Sequence, residues 1–334
     1  MLDKILVTGG LGFIGSNFVK YFLRTTKKVE LVNVDYRGPT SNPANLNQLK
    51  EDPRYRFVKG SIANARLCRK VVRNADVVVN FAAETHVDRS IAEPNPFLES
   101  NVIGTFNLLD ACRKTEIKKI VHISTDEVYG SIDSGSFNEN SPLNPSSPYS
   151  ATKAAADMIA KAWHATYRVP VVILRCTNNF GPYQNPEKFI PKAIIRALGG
   201  MPIPLYGGGK QIRDWIFVED FCAAIKHSLD RGQPGEIYNI SAGNELTNRE
   251  VAQTVLKKLG KPSSMIIETE DRPGHDFRYS LSSNKARRKL RWHPAKTTRE
   301  ALALTVDWYR ANTKWWINLA SPKVLSAQPW KEKW

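Results

Sequence analysis

The sequence predicts an α/β fold, in which a doubly wound parallel sheet is followed by a smaller C-terminal α/β lobe. In the first half, short β-branched runs alternate with helical patterns, which is typical of a parallel sheet with helices on both faces. After Arg175 glycine and proline become frequent and the elements shorten. We therefore expect a first lobe at residues 1–176, a second at 177–311 with some segments returning to the first, and a tail at 312–334.

The order of the elements supports this architecture. Strands are predicted at Lys4–Thr8, Glu30–Asp35, Tyr55–Lys59, Val77–Phe81, Ile120–Ser124 and Val171–Arg175. Helices are predicted between them at Phe13–Arg24, Arg66–Val72, Phe97–Thr115 and Pro148–Tyr167. In the second half we predict helices at Pro191–Leu198, Glu219–Leu229 and Arg249–Leu259, and a strand at Tyr238–Ile240.

Composition favours a soluble globular protein. The chain has 334 residues, of which 42% are hydrophobic and 24% charged. No apolar run approaches the length of a membrane span, and the first residues lack the apolar core of a signal peptide, so we expect a cytoplasmic location and no membrane contact. Cys68, Cys112, Cys176 and Cys222 lie far apart without metal-ligand spacing, and we expect reduced core residues and no metal site.

The net charge of +16 invites a nucleic-acid hypothesis. The densest basic run comprises Lys285, Arg287, Arg288, Lys289 and Arg291. It falls in a predicted short helix whose Leu290 and Trp292 face inward, and no nucleic-acid motif accompanies it. We therefore interpret the run as a solvated helix face and expect no nucleic-acid partner.

A glycine-rich segment, Thr8-Gly9-Gly10-Leu11-Gly12-Phe13-Ile14-Gly15, joins the first strand to the first helix. Gly9 permits the tight turn, Gly12 lets a pyrophosphate approach the backbone, and Gly15 allows close packing of helix on strand. The helix N-terminus favours the phosphate charge. The segment therefore predicts a Rossmann dinucleotide site.

Asp35 ends the second predicted strand, where the residue that binds the adenosine ribose belongs in this fold. A carboxylate there accepts hydrogen bonds from the ribose hydroxyls and repels a 2′-phosphate. Asp35 therefore favours NAD over NADP. The nearby Arg37 weakens this argument, because an arginine close to the ribose can accommodate a 2′-phosphate.

Tyr149 and Lys153 lie four residues apart and share a helix face. An ammonium beside a phenol favours the phenolate, and a bound nicotinamide cation would add to this effect. We predict that Tyr149 acts as a base near neutral pH, although the pKa of an unperturbed tyrosine is about 10.

Two adjacent acids, Asp126 and Glu127, follow a core strand in the segment Ser124-Thr125-Asp126-Glu127-Val128-Tyr129-Gly130. Ligands of open parallel sheets bind outside the carboxyl ends of the strands. Burying two acids is costly, so their place at this edge favours a catalytic function over a solvated turn.

The tail is rich in tryptophan, with Trp315, Trp316, Trp330 and Trp334. Such aromatic density is too apolar for a tail that is free in solution. We therefore expect the tail to pack on this chain or on a neighbouring one.

The chain resembles the extended short-chain dehydrogenase/reductases and, within them, the dTDP-glucose 4,6-dehydratases, from about Lys4 to about Tyr309. Besides the glycine turn and the Tyr149/Lys153 pair, the resemblance rests on five segments. These are Ala82-Ala83-Glu84-Thr85-His86-Val87-Asp88-Arg89-Ser90, Ser124–Gly130, Asn178-Asn179-Phe180-Gly181-Pro182-Tyr183, Gln211-Ile212-Arg213-Asp214-Trp215 and Asp271-Arg272-Pro273-Gly274-His275-Asp276. Two segments depart from the family pattern, namely Ser61-Ile62 in place of Asp-Ile and Tyr36-Arg37-Gly38 in place of Lys-Leu-Thr.

The resemblance implies three groups of site residues. The catalytic residues are Thr125, Asp126, Glu127, Tyr149 and Lys153. The NAD-binding residues are Gly9, Gly12, Phe13, Ile14, Gly15, Asp35, Ser61, Ile62, Phe81, Ala82, Ala83, Ser100, Tyr149, Lys153 and Asn179. The residues for the sugar nucleotide are Thr85, Thr125, Asn178, Lys188, Phe189, Pro204, Tyr206, Arg213, Asn248, Arg272 and His275.

The chemistry implied by the resemblance converts dTDP-glucose to its 4-keto-6-deoxy product without net consumption of NAD. Tyr149 takes the C4 hydroxyl proton during oxidation at C4, and Thr125 hydrogen-bonds the developing carbonyl. Glu127 then removes the C5 proton while Asp126 protonates the leaving C6 hydroxyl, and hydride returns to C6. The resemblance also implies a homodimer joined through four helices.

Several other functions are compatible with parts of this pattern. A nucleotide-sugar 4-epimerase uses the same tyrosine and NAD but needs no pair of acids, and a UDP- or GDP-sugar 4,6-dehydratase differs only in its nucleotide. A catalytically inactive binding module or a nucleic-acid-binding relative would belong to another class. The intact Tyr149, Lys153, Asp126 and Glu127 argue against an inactive module.

Overall fold

The computed structural model describes residues 3–333 as an α/β fold. Its strands are β1 (Lys4–Thr8), β2 (Glu30–Asp35), β3 (Tyr55–Lys59), β4 (Val77–Asn80), β5 (Lys119–Thr125), β6 (Val171–Cys176), β7 (Asn178–Phe180), β8 (Ile203–Tyr206), β9 (Ile212–Phe217), β10 (Ile237–Ile240), β11 (Glu245–Thr247) and β12 (Ile266–Thr269). Its helices are α1 (Phe13–Thr25), α2 (Ala65–Val72), α3 (Val87–Ala92), α4 (Asn95–Phe97), α5 (Gly104–Cys112), α6 (Pro148–Tyr167), α7 (Phe189–Leu198), α8 (Val218–Arg231), α9 (Asn248–Leu259), α10 (Asn284–Leu290), α11 (Thr298–Ala311) and α12 (Thr313–Trp316).

Seven strands form the main sheet in the order β10-β6-β5-β4-β1-β2-β3, and all their pairings are parallel. Side chains of α1, α8 and α10 share one buried cluster with the sheet, and side chains of α2, α5 and α6 share another. Because parallel strands are buried on both faces, they read as continuous apolar runs such as Val77-Val78-Val79. The predicted doubly wound sheet is confirmed.

A smaller lobe is built from the second half of the chain. It contains a three-stranded sheet in the order β11-β9-β7 and a two-stranded sheet of β12 and β8. Its core joins residues of α7, α9, α11 and β9, including Ile194, Trp215, Val251 and Leu302. The strand β10, from the second half of the chain, lies in the main sheet beside β6. The predicted boundaries at 176/177 and 311/312 stay predictions.

The predicted helix Phe97–Thr115 differs from the structure. Helical residues begin at Asn95, the segment Leu98–Ile103 is a π-helical turn, and α5 ends at Cys112. Such turns occur frequently at functional sites. Here the turn contains Ser100, which lines the cleft described below, and Asn101, whose Oδ1 accepts from the Glu84 nitrogen.

The basic helix α10 and the tail pack as predicted. Leu290 and Trp292 are buried, and Lys285 pairs with Glu236 at the surface. In the tail, Trp330 is buried, while the indole nitrogens of Trp315 and Trp316 donate to Asn45 Oδ1 and to the Tyr309 carbonyl oxygen. Trp334 lies outside the described residues.

The four cysteines lie inside the protein as free thiols. Cys68, Cys112, Cys176 and Cys222 are buried and unpaired, as predicted. Within residues 3–333 no group of three or more His, Cys, Asp or Glu side chains is placed to hold a metal ion. The helices of that same range are too short or too polar to cross a bilayer.

Candidate active site

The turn between β1 and α1 is made possible by its glycines. Gly9 has a φ of +72°, and a Cβ there would lie 2.6 Å from the Ala82 nitrogen. A Cβ on Gly15 would lie 2.4 Å from the Gly9 oxygen, so helix and turn touch directly. Gly12 precedes α1, whose first turn has neither a side-chain cap nor an acidic residue. Backbone N–H groups and the helix dipole at this end suit the diphosphate of a dinucleotide.

Asp35 is held in place by its neighbours at the end of β2. Its Oδ2 accepts from the Leu11 nitrogen at 3.0 Å, while Oδ1 accepts from the Arg37 nitrogen at 2.8 Å and from Ser41 Oγ at 2.7 Å. Each carboxylate oxygen accepts about two hydrogen bonds, so Oδ2 keeps capacity for a ribose hydroxyl. The Arg37 guanidinium lies over the Phe57 ring, 5.0 Å from its centroid.

One cleft brings together all the residues predicted to bind the cofactor. It is lined by Gly9, Gly12, Phe13, Ile14, Gly15, Asp35, Ser61, Ile62, Phe81, Ala82, Ala83, Ser100, Tyr149, Lys153 and Asn179. The predicted catalytic residues Thr125, Asp126 and Glu127 line the same cleft. Sequence reasoning missed Tyr36, Ser41 and Glu84, which also face it. Two features of the sequence could have indicated them: Tyr36 begins the segment after Asp35 that departs from the family pattern, and Glu84 lies in the motif Ala82–Ser90.

Tyr149 and Lys153 are positioned by the start of α6. Ser147 and Ser150 form a capping box there, and Pro148 occupies the first turn. Both functional side chains are buried, and Lys153 Nζ donates to the Ile123 carbonyl oxygen at 2.6 Å. The amine is thus anchored to β5, the strand that leads to the acidic pair.

The spacing of Tyr149 and Lys153 predicts a lowered pKa for Tyr149, but the protein groups around it raise this pKa. Burial raises this pKa well above its usual value and the charge of Glu127 adds to the rise, whereas a hydrogen bond with Thr125 opposes it. Burial also lowers the pKa of Lys153. Desolvation of both groups therefore opposes the effect that the four-residue spacing predicts, and the role of Tyr149 as a base stays a prediction.

The two acids follow β5 on a short 3₁₀ turn, Asp126–Tyr129. Thr125 Oγ1 donates to Asp126 Oδ1 at 3.1 Å and accepts from the Glu127 nitrogen at 3.3 Å. Asp126 is 2% exposed, and within the described part of the chain its Oδ2 has no hydrogen-bond partner. A buried carboxyl oxygen without a partner, facing a cleft, is a candidate for proton transfer to a ligand.

The two carboxyl groups differ in their tendency to ionise. Burial raises the pKa of Asp126 well above its usual range, and the neighbouring Glu127 adds to the rise. Burial also raises the pKa of Glu127, but Arg272, Lys188 and Arg213 oppose this. The pKa of Asp126 is therefore raised further than that of Glu127, which makes Asp126 the candidate acid and Glu127 the candidate base of the pair.

A second cleft adjoins the first at Glu127, Asn178 and Lys188, which line both. Most residues predicted for the sugar nucleotide line this second cleft, namely Asn178, Lys188, Phe189, Pro204, Tyr206, Arg213, Asn248, Arg272 and His275. Thr85 and Thr125 line the first cleft. Sequence reasoning missed Asp88 and Tyr279 in the second. The acidic pair thus lies where the two clefts meet.

The second cleft is rich in cations. The Arg213 guanidinium donates to the carbonyl oxygens of Ile212, Asp276 and Phe277 at 2.7–3.1 Å, and it lies 4.1 Å from the centroid of the Tyr279 ring. No carboxylate within residues 3–333 forms an ion pair with it. A buried cation held by neutral groups suits an anionic ligand such as a diphosphate.

Three further cations line this cleft, namely Arg272, Lys188 and Lys192. Arg272 Nη1 lies 2.7 Å from Asp88 Oδ1, and Lys188 Nζ donates to the Thr85 carbonyl oxygen at 2.7 Å. His275 bonds through Nδ1 to Asp271 at 2.6 Å, and burial together with Arg272 and Arg213 lowers its pKa to about 4. His275 is therefore neutral at physiological pH and contributes hydrogen bonds rather than charge.

The fold and the site define a class of protein. A Rossmann cleft with a glycine turn and a ribose-binding acid, joined to a Tyr-x-x-x-Lys pair and an adjoining substrate cleft, is the arrangement of an extended short-chain dehydrogenase/reductase. The family model of GDP-mannose 4,6 dehydratase matches residues 6–305. The chain therefore belongs to the GDP-mannose 4,6 dehydratase family of extended short-chain dehydrogenase/reductases.

Relatives within the family are similar over almost the whole chain. A dTDP-glucose 4,6-dehydratase of Streptomyces niveus is 46% identical over 98% of both chains. The crystal structure of a double mutant of DesIV, a dTDP-glucose 4,6-dehydratase from Streptomyces venezuelae with NAD bound, is 47% identical and has a TM-score of 0.93 over 94% of this chain and 99% of that one. The dTDP-glucose 4,6-dehydratase of Bacillus anthracis in complex with NAD is 45% identical, with a TM-score of 0.90 over 95% and 99% of the two chains.

Proposed function

We propose that this protein is an NAD-dependent lyase that dehydrates dTDP-glucose to dTDP-4-keto-6-deoxyglucose. The observation that carries the proposal is the position of Asp126 and Glu127, two adjacent carboxyls whose pKa values are raised to different extents, where the dinucleotide and substrate clefts meet. Elimination of water needs a base and an acid together, and Tyr149 in the same cleft supplies the base for the preceding oxidation.

Three features of the chain suit the first cleft to NAD. These are the room left by Gly9 and Gly15, the uncapped start of α1, and the oriented carboxylate of Asp35. When bound, NAD accepts hydride from C4 of the sugar and returns it to C6. Tyr149 and Lys153 lie at the far end of the cleft from Asp35, where the nicotinamide ring belongs in this fold.

The first chemical task of the protein is the removal of the C4 hydroxyl proton. Tyr149 is placed to take it, and Thr125 hydrogen-bonds the developing carbonyl. The positive charges of Lys153 and of the oxidised nicotinamide offset the burial that raises the Tyr149 pKa. Once C4 is a ketone, the adjacent C5 proton becomes acidic.

The second task is elimination across C5 and C6. Glu127 removes the C5 proton as the base, and Arg272, Lys188 and Arg213 assist by opposing the rise in its pKa that burial causes. Asp126, kept protonated by burial and by Glu127, donates its proton to the departing C6 hydroxyl. Water leaves, and Glu127 can return its proton to C5 when hydride arrives at C6.

The anionic part of the substrate fits the cationic second cleft. Arg213, Arg272 and Lys188 are placed to hold the diphosphate, while Tyr206 and Asn248 line the same cleft for the rest of the nucleotide. The similarity to dTDP-glucose 4,6-dehydratases over 98% of the chain supports dTDP as the nucleotide.

The decisive experiment incubates the purified protein with dTDP-glucose and follows the product by mass and by the alkali-sensitive absorbance of a 4-keto sugar. We expect a product lighter than the substrate by one water molecule. A product of unchanged mass with inverted C4 would identify a 4-epimerase. Parallel reactions with UDP-glucose and GDP-glucose test the nucleotide, and faster turnover of either would overturn the assignment of dTDP.

We also propose that the protein is a homodimer. Exposed apolar side chains cluster on the helical segment of residues 98–112 and on α6, and they include Leu98, Ile103, Phe106, Met158 and Tyr167. The two helical segments touch through the rings of Phe106 and Trp163, whose centroids are 5.2 Å apart. A second copy that pairs the same helices would cover this face as a four-helix interface. The cytoplasmic location stays a prediction.

A further inference from the structure

A hydrogen bond joins two residues that line the dinucleotide cleft. Tyr36 directly follows β2, and its hydroxyl donates to the Glu84 carboxylate, which follows β4. Strands β2 and β4 flank β1 in the sheet, so the bridge crosses the end of β1, where the glycine turn begins. Both residues line the cleft. A dinucleotide that extends from Asp35 to Tyr149 crosses the same line.

The acceptor of this bridge is rigid. Glu84 is 4% exposed, its backbone N–H donates to Asn101 Oδ1 at 2.8 Å, and its carbonyl oxygen accepts from Asn101 Nδ2 at 3.0 Å. Its second carboxylate oxygen accepts from Arg89 Nη2 at 3.3 Å. A hydrogen bond to a carboxylate fixed in this way is stronger than one between neutral groups.

The donor, by contrast, lies on the solvent side. The Tyr36 side chain is 44% exposed although its hydroxyl is bonded to a buried group. Gly38 leaves the space that the ring occupies, because a Cβ at that position would lie 1.9 Å from Tyr36 Oη. Tyr36 and Gly38 both belong to the segment Tyr36-Arg37-Gly38, which departs from the family pattern.

We propose that Tyr36 is a clasp that closes over the bound dinucleotide and controls how fast it exchanges. Both partners of the bridge are protein groups, so the bond contributes equally with and without a dinucleotide in the cleft and leaves the affinity unchanged. It must open for each entry and each exit, so it slows both. The inference rests on NAD as the cofactor of the proposed function, a reaction in which the dinucleotide need not leave between turnovers.

The test measures exchange without any sugar nucleotide. The protein is loaded with NADH, whose fluorescence reports binding, and the association and dissociation rates are followed by stopped flow and by a chase with excess NAD. For Tyr36→Phe we expect both rates to rise about tenfold or more, the size expected on loss of a hydrogen bond to a charged group. The Kd is expected to stay within about twofold, because the two rates change together.

Two further variants separate the clasp from general effects. Gly38→Ala displaces the ring without altering Tyr36, and we expect the same acceleration. Tyr21→Phe, which removes a hydroxyl on α1 outside the cleft, is expected to leave both rates as in the wild type.

Two results would overturn the clasp. An unchanged dissociation rate in Tyr36→Phe would show that the bridge does not gate exchange. A faster dissociation with a matching loss of affinity would show that the hydroxyl contacts the dinucleotide itself. A wild type that binds no NADH would overturn the cofactor assignment, whereas normal exchange in a protein that fails to dehydrate dTDP-glucose would overturn only the proposed reaction.

Discussion

Trp330 of the tail packs edge-on against Tyr206 of the substrate cleft, with ring centroids 4.9 Å apart and an interplanar angle of 87°. The tail segment is fastened by Lys331 Nζ and Gln328 Nε2, which both donate to Glu270 Oε2, at 2.6 and 3.2 Å. The family model ends at residue 305, so this contact comes from outside the matched region. The tail therefore supports a wall of the substrate cleft.

Replacing Trp330 by alanine is expected to raise the KM for the sugar nucleotide and leave kcat nearly unchanged, because Tyr206 loses its support while the acidic pair is untouched. An aromatic pair contributes about 0.5–1.5 kcal/mol beyond the area it buries, so we expect a rise of up to roughly tenfold. Steady-state kinetics measures it. Trp316→Phe, elsewhere in the tail, is the control, and equal KM values in Trp330→Ala and wild type would contradict the prediction.

Glu127→Gln should separate oxidation from elimination. The variant keeps the size and hydrogen bonding of the side chain but lacks the base for C5, so reduced nicotinamide should accumulate on mixing with dTDP-glucose while little dehydrated product forms. Loss of a general base costs about 10²–10⁴-fold in rate. Absorbance in the reduced-nicotinamide band and product mass are the two readouts.

Tyr149→Phe is the companion variant, and it should give neither signal, because the C4 proton is not removed. Near-normal turnover of Glu127→Gln would refute this division of roles. So would a failure of that variant to reduce NAD while it still binds substrate.

Asp126→Asn should lose activity but gain stability at neutral pH. The folded-state pKa of Asp126 lies above its unfolded value of about 4. The free energy of unfolding therefore falls as the pH rises above about 4, and the loss is complete once the pH exceeds the folded-state pKa. Asparagine still accepts from Thr125 and has no such cost. We therefore expect Asp126→Asn to have a higher free energy of unfolding than the wild type at neutral pH.

Chemical denaturation at a series of pH values tests this stability effect. The advantage of Asp126→Asn over wild type should shrink as pH falls towards 4. The exposed Asp133→Asn provides the matched control. An advantage that did not change with pH would mean that the ionisation of Asp126 is not its cause.

The activity of the wild type should depend on pH through the same pair. Catalysis needs an ionised Glu127 and a protonated Asp126, so kcat/KM should rise as Glu127 loses its proton and fall as Asp126 loses its own. The two limbs report the coupled pair rather than single residues. A profile without an alkaline limb would argue against Asp126 as the acid.

NAD should bind more tightly than NADP. The Asp35 carboxylate is held towards the ribose by Leu11, Arg37 and Ser41, and it repels a 2′-phosphate. We expect a difference of roughly tenfold or more in Kd, equivalent to about 1.4 kcal/mol. Titration of the protein stripped of cofactor measures both affinities. If Arg37 accommodates the phosphate, NADP will bind as well as NAD, and Arg37→Gln will weaken NADP alone.

Phe106→Glu should convert the dimer to a monomer at micromolar concentration, because a charge would be buried in an apolar interface. Light scattering after gel filtration gives the mass. Leu304→Glu changes an equally exposed apolar residue on α11 and should leave the dimer intact. A wild type that is itself monomeric would refute the proposed assembly.

Local patterns were sufficient to predict much of the fold. The strands β1, β2 and β3 begin and end at the predicted residues. For β1 and β2 the signal is an apolar, β-branched run that is buried in the parallel sheet. The edge strand β3 is only partly buried and mixes polar with apolar residues. The glycine turn, Asp35 and the acidic pair were equally visible, because each lies at the carboxyl end of such a strand, where this sheet places its ligands.

Tertiary structure decided what depends on residues that are distant in sequence. The four-residue spacing predicts an ammonium near the Tyr149 phenol, whereas the opposing effect of burial on the pKa of that phenol becomes visible only in the packed structure. Likewise, no local pattern shows that Tyr36 reaches Glu84 across β1 or that Trp330 returns to Tyr206. Spacing along a helix or strand fixes which side chains share a face, whereas desolvation and long-range contacts exist only once the chain has folded.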